Sequence, residues 1–132
     1  MATAASVEGR AAAVLTNSEV FGADCDVSDS LDGKVALDLS FTLGSLTSGV
    51  VRLYAGPAAT PTDPLYINGV KQEYTLTGDT EMCAVVDCAG AAVFRASIEG
   101  VGTVGGSSAA FDYLYNDYEG SSRKDGNIVV GD

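Results

Sequence analysis

The sequence predicts an all-β fold: a single antiparallel β-sandwich, of jelly-roll or immunoglobulin-like type, with an N-terminal arm. Three observations predict it. Apolar residues recur with period two in several separate segments, turn-forming residues interrupt them at intervals of about ten residues, and no segment carries the apolar stripe of an amphipathic helix. At 132 residues the chain has the size of one domain built on one core.

The elements follow in order. MATAASVEGRAAAVL is Ala-rich, shows no clean stripe and is too short for a helix that stands alone. Residues 1–30 are therefore expected to form an extended arm. The apolar run Ala11 to Leu15 follows Glu8 and Arg10 rather than a basic segment, so no secretory leader is expected. From Phe21, FGADCDVSDSLDGK favours irregular backbone through its Asp, Ser and Gly content.

From Lys34, KVALDLSFTLG puts Val35, Leu37, Leu39 and Phe41 on one face and Ala36, Asp38, Ser40 and Thr42 on the other, a half-buried strand. SLTSG is expected to turn, and VVRLYAG to return as a strand with Val51 and Leu53 opposite Arg52 and Tyr54. GPAATPTDP holds all three prolines and reads as a surface loop. Asn68-Gly69 predicts a two-residue hairpin, because both residues tolerate positive φ.

EMCAVVD and AAVFRASIEG read as strands around Cys88-Ala89-Gly90, with Phe94, Ala96 and Ile98 inward. Val93 to Thr103 and Ala109 onward are expected to pair as a hairpin about Val104-Gly105-Gly106-Ser107-Ser108. In that second strand Phe111, Tyr113 and Tyr115 alternate with Asp112, Leu114 and Asn116. Residues 119–132 are expected to form a turn at Asp125-Gly126 and a short strand or tail.

Composition excludes several functions. Eighteen acidic residues against seven basic ones give a net charge of −11, a field that repels nucleic acid and anionic membrane. No apolar run reaches the about eighteen residues of a membrane span. The absence of histidine removes triad hydrolysis and histidine-ligated zinc. The three cysteines, Cys25, Cys83 and Cys88, are expected to be reduced, small, buried hydrophobes. No catalytic, cofactor-binding or metal-ligating residue is expected, and the chain is not expected to be an enzyme.

Three motifs bear on chemistry. GVGTVG, Gly100 to Gly105, has the G-x-G-x-x-G spacing of a dinucleotide loop, with Glu119 nineteen positions after Gly100. That loop requires a helix on its exit to hold phosphate, whereas Ala109 to Tyr118 reads as strand, so the glycines are expected to permit close packing. Asp24, Asp26, Asp29 and Asp32 fall within nine residues and could hold a hard cation. The spacing is not an EF-hand: Asp29 stands where glycine is needed and Val35 where the bidentate glutamate is needed. A solvated acidic loop is the expectation. Asp112, Asp117 and Glu119 beside tyrosines read as a solvated edge rather than a glycosidase pair.

The strand ending in Phe41 to Ser48 (F-T-x-G-S-x-T-S), the apolar-F-R strand Val93 to Arg95 and the Gly100 to Ser108 segment (G-x-G-T-x-x-G-S-S) together resemble small β-sandwich virion structural proteins of tailed bacteriophages. The resemblance covers about residues 35 to 116. It implies a head decoration (cement) protein, or a small head or tail component, acting without chemistry. It also implies location in the virion and contact with the major capsid protein or other virion proteins. A homo-oligomer is expected, a trimer by the usual threefold symmetry of capsid sites. The alternative reading is a carbohydrate-binding sandwich for host glycans, using exposed Tyr and Asp.

Overall fold

The computed structural model describes residues 2–88 and 90–118; the turn predicted at Asp125-Gly126 and the segment 119–132 lie outside the described residues. In chain order the strands are β1 (Ala2–Ala13), β2 (Val20–Phe21), β3 (Cys25–Asp26), β4 (Lys34–Thr42), β5 (Leu46–Gly56) and β6 (Tyr66–Ile67). They continue with β7 (Val70–Lys71), β8 (Glu73–Leu76), β9 (Thr80–Asp87), β10 (Val93–Gly102) and β11 (Ser108–Tyr118). Among the described residues the helical element is one 3-10 turn, Val27–Asp29.

One sheet has the order β1-β11-β4-β9 and the other β2-β10-β5-β8, with β3 also paired to β10. Their strand pairs are antiparallel. Successive strands alternate between the sheets, except that β5 and β8 are neighbours joined through the small β6-β7 ribbon. With β2 and β3 sharing one position, this winding is an eight-position jelly roll, the first of the two sandwich types the sequence allowed.

Period two explains the layers. Val35, Leu37, Leu39 and Phe41 of β4 are all buried, as are Val51 and Leu53 of β5, Phe94, Ala96 and Ile98 of β10, and Phe111 and Tyr113 of β11. Each such side chain of valine size or larger contributes about 1.5–3 kcal/mol by leaving water. Phe94 and Tyr113 lock the two sheets together edge to face, their ring centroids 5.4 Å apart at 81°. The predicted ribbon at Asn68-Gly69 is present, with Ile67 opposite Val70 and φ of 54° and 79° at its two turn residues.

Three expectations are corrected. The first is the N-terminal arm, because residues 2–30 are woven into both sheets. β1 pairs β11 from Ala2 opposite Tyr118 to Ala13 opposite Ala109, and β2 and β3 pair β10. Leu15, Cys25 and Val27 are core residues. The reason is local: Ala and Gly contrast too little with Ser and Glu for alternation to stand out, and register shifts between Glu8 and Arg10 and between Arg10 and Ala13 break the period.

The second is the hairpin between β10 and β11. These strands belong to different sheets, so Val104 to Ser107 crosses the end of the sandwich instead of closing a ribbon. The third is the SLTSG turn. The chain reverses at Leu43-Gly44-Ser45, where Gly44 has φ 58°, and Leu46 already lies in β5.

Candidate functional site

The acidic stretch does not gather around one point. Asp24 accepts a hydrogen bond from the Thr60 backbone N–H at 2.8 Å, which holds the Pro-rich loop. Asp26 caps the 3-10 turn by accepting from the Ser28 N–H at 3.1 Å. Asp32 accepts from the Lys34 N–H and the Ser30 hydroxyl, each at 3.1 Å. The Lys34 bond holds the Asp32 carboxyl below the usual carboxylate range, with the Ser30 bond and the Lys34 charge adding to it. Asp29 lies in the 3-10 turn. The carboxylates of Asp24, Asp26 and Asp32 serve backbone N–H groups, and among the described residues no three acidic or thiol groups converge on a point where a metal ion would sit.

The glycine motif is a packing device. Strands flank it on both sides. A Cβ on Gly100 would lie 3.0 Å from Leu46 Cδ2, 3.1 Å from the Thr16 carbonyl oxygen and 3.2 Å from Leu15 Cβ. Gly100 donates its N–H to the Thr16 carbonyl at 2.8 Å, and Asn17 Nδ2 donates to the carbonyls of Gly100 and Gly102 at 3.0 and 2.9 Å. The bare backbone of Gly100 thus receives residues 15–17.

Two of the cysteines, Cys25 and Cys88, are buried as expected, whereas Cys83 on β9 is exposed; all three remain thiols. Burial pushes the Cys88 thiol up to about 12. Outward alternation on an edge strand places Cys83 in solvent, a position its residue type alone did not reveal.

A polar network on the outer face of the second sheet escaped the sequence reading. The Glu19 carboxylate accepts short hydrogen bonds from the hydroxyls of Tyr54 and Ser97. Arg52 donates to Glu99 at 2.8 Å and faces Glu73 at 3.7 Å and Glu19 at 3.8 Å. Beside it, the Arg95 guanidinium lies 3.8 Å from the centre of the Phe21 ring and donates to the Pro61 carbonyl at 2.9 Å. Burial, with Glu19 nearby, pushes the Tyr54 hydroxyl up to about 12, and the Glu99 hydrogen bond raises Arg52. Ser97 is fully buried and offers a substrate no approach. The network fastens the segment around Glu19 and Phe21 to β5 and β10.

The outer face of the first sheet is different. Register places Glu8, Asp112, Asp38 and Cys83 side by side across β1, β11, β4 and β9. Three exposed carboxylates stand directly opposite one another, an arrangement that costs stability unless water or a cationic partner faces it. The neighbouring row is Ser6, Leu114, Ala36 and Val85. A groove of about 460 Å³ opens there, lined by Ala5, Ala36, Val85, Leu114 and Tyr115 and rimmed by Asp32 and Lys34. Val85 is 72% exposed. Asp112 is solvated as expected but sits on β11, inside the sheet rather than at its edge; the side chains of Asp117 and Glu119 lie outside the described set.

No protein-family model matches the chain, and no curated protein matches it in sequence. In structure it is similar to a subunit of the Bacillus endospore appendages, described as a family of disulfide-linked pili. The TM-score is 0.53, with 11% identical residues and 89% of each chain covered. It also aligns with VP2 of the infectious bursal disease virus subviral particle, with a TM-score of 0.43, 8% identity and 89% of this chain on 33% of that one. The chain therefore spans about a third of that viral protein's length. What the appendage subunit and this chain share is an all-β sandwich fold.

Proposed function

We propose that the chain is a non-enzymatic structural protein of a bacteriophage virion, a decoration or cement protein that stabilises the head through subunit contacts. In this reading it works as a homo-oligomer, three copies at a threefold site, against the major capsid protein or another virion protein. The observation that carries it is the outer face of the first sheet, where an acidic row borders an apolar groove. That face suits a protein contact whose surface is locally apolar and cationic, and its charge disfavours nucleic acid. The polar groups elsewhere of a catalytic type, Ser97 and Glu19 above all, fasten the segment around Glu19 to β5 and β10.

A second reading has support of its own. The likeness to an appendage subunit runs over 89% of both chains, which favours a filament subunit built on the same sandwich. Antibodies raised against the purified protein separate the two in negatively stained lysates of the source organism. Labelling of particle heads is the expected result. Labelling confined to surface filaments would replace the head placement with the filament one, and absence from both would refute both.

A further inference from the structure

We propose that the β6-β7 ribbon of one copy docks into the groove between Ala36, Val85 and Leu114 of a second copy, joining subunits head to tail. This rests on the structural role proposed above and names the contact that role would use between copies.

The two surfaces are complementary and lie on different parts of the molecule. The groove belongs to the β1-β11-β4-β9 sheet, and the ribbon is inserted between β5 and β8 of the other. Tyr66 and Val70 on the ribbon are 58% and 62% exposed, two of the largest apolar exposures among the described residues. The type I′ geometry at Asn68 and Gly69 makes the tip narrow and fixes its shape before contact.

Charge agrees with shape. From Tyr66 to Gln72 the ribbon carries one charge, the cation of Lys71, on a chain whose net charge is −11. The groove opens one row from Glu8, Asp112 and Asp38 and has Asp32 and Lys34 at its rim, so the three carboxylates of that row outweigh the one rim cation. Lys71 shares a 3.5 Å ion pair with Glu73 and is exposed beside it. Apposition of two groove faces is disfavoured, since it would set one acidic row against another.

A protrusion that fits a hollow elsewhere on the same molecule makes a heterologous contact, which propagates as a ring or chain. Standard lasting interfaces bury about 1,600 Å² in total and a ribbon tip buries less, so each contact is weak and association shows at high protein concentration.

Tyr66→Asp disables the ribbon and Val85→Arg fills the groove; both positions are exposed, so circular dichroism and melting should match the wild type. Sedimentation velocity of the full chain over a concentration series is expected to give growing oligomers for the wild type. Each variant alone should associate at least about tenfold more weakly. An equimolar mixture of the two should form dimers and stop, because one live ribbon meets one live groove. Monomers from wild type at every concentration, or oligomers from either variant equal to wild type, would overturn the proposal. So would a mixture that stays monomeric, which would assign the groove to residues 119–132 or to another protein. Oligomers that survive both substitutions would leave the structural role standing while removing this contact, whereas failed particle labelling would strike the role alone.

Discussion

Tyr113→Phe removes one oxygen atom from the centre of the sandwich. The Tyr113 hydroxyl donates to the Ala23 carbonyl at 2.7 Å and accepts from the Ala96 N–H at 3.1 Å. Both groups lie where β2 has ended at Phe21 and β3 has not begun at Cys25, so the hydroxyl spans a break in the ladder along β10. Phe keeps the ring and its edge-to-face contact with Phe94, so the apolar part of the packing stays. What is lost is the partner of two backbone groups beside a fully buried side chain, each costing about 1–3 kcal/mol when left unpaired. The Ala23 bond is only part-buried, so water replaces some of it, and the expected loss is about 2–4 kcal/mol, with a fall in Tm on the order of 10 °C for a domain of this size. Guanidinium unfolding followed by circular dichroism measures it, with an unchanged slope showing that the same surface unfolds. A loss under about 0.5 kcal/mol would mean the hydroxyl does not serve these groups, and the bridging account would fail.

Three further outcomes are expected. Because Tyr54 and Tyr113 hold their protons more tightly folded than unfolded, stability should be full below about pH 10, the ordinary tyrosine value, and decline as pH rises toward 12. A near-ultraviolet titration in which all tyrosines ionise together, with the fold intact, would contradict this. A thiol-reactive dye should label one cysteine per native chain, Cys83, and reach Cys25 and Cys88 only in denaturant; native labelling of more than one is the contrary result. Gly100→Ala should cost about 1–3 kcal/mol by forcing a methyl against Leu15, Thr16 and Leu46, read as a lower denaturation midpoint; an unchanged midpoint would refute the close approach.

How far the fold could be read from sequence depended on contrast between faces. β4 was legible because Val35, Leu37, Leu39 and Phe41 alternate with small and polar residues along a strand with neighbours on both sides. β1 was not, since Ala and Gly read alike on either face and register shifts disturb the count. Period two also cannot say which sheet a strand joins, so β10 and β11 were paired with each other when β5 and β4 are their respective neighbours.

The Gly100 packing role was legible because the helix a phosphate loop needs was visibly missing. The Glu19 network was not, because its partners lie far along the chain, with Tyr54 and Ser97 35 and 78 positions from Glu19. Arg52 between Val51 and Leu53 was its one local trace, a charge inside an apolar strand. The row of Glu8, Asp112 and Asp38 likewise exists only once register is known.

The pairing of Ala2 with Tyr118 carries a consequence for biogenesis. An emerging polypeptide holds β1 while every strand from β2 to β10 is made before β11, and until then one side of the first sheet stays open. Contacts this distant in sequence slow folding and leave unfinished chains exposed to adhesion with one another. Folding of the barrel is thereby tied to translation reaching β11, and fragments that stop short of that strand should be insoluble rather than merely less stable.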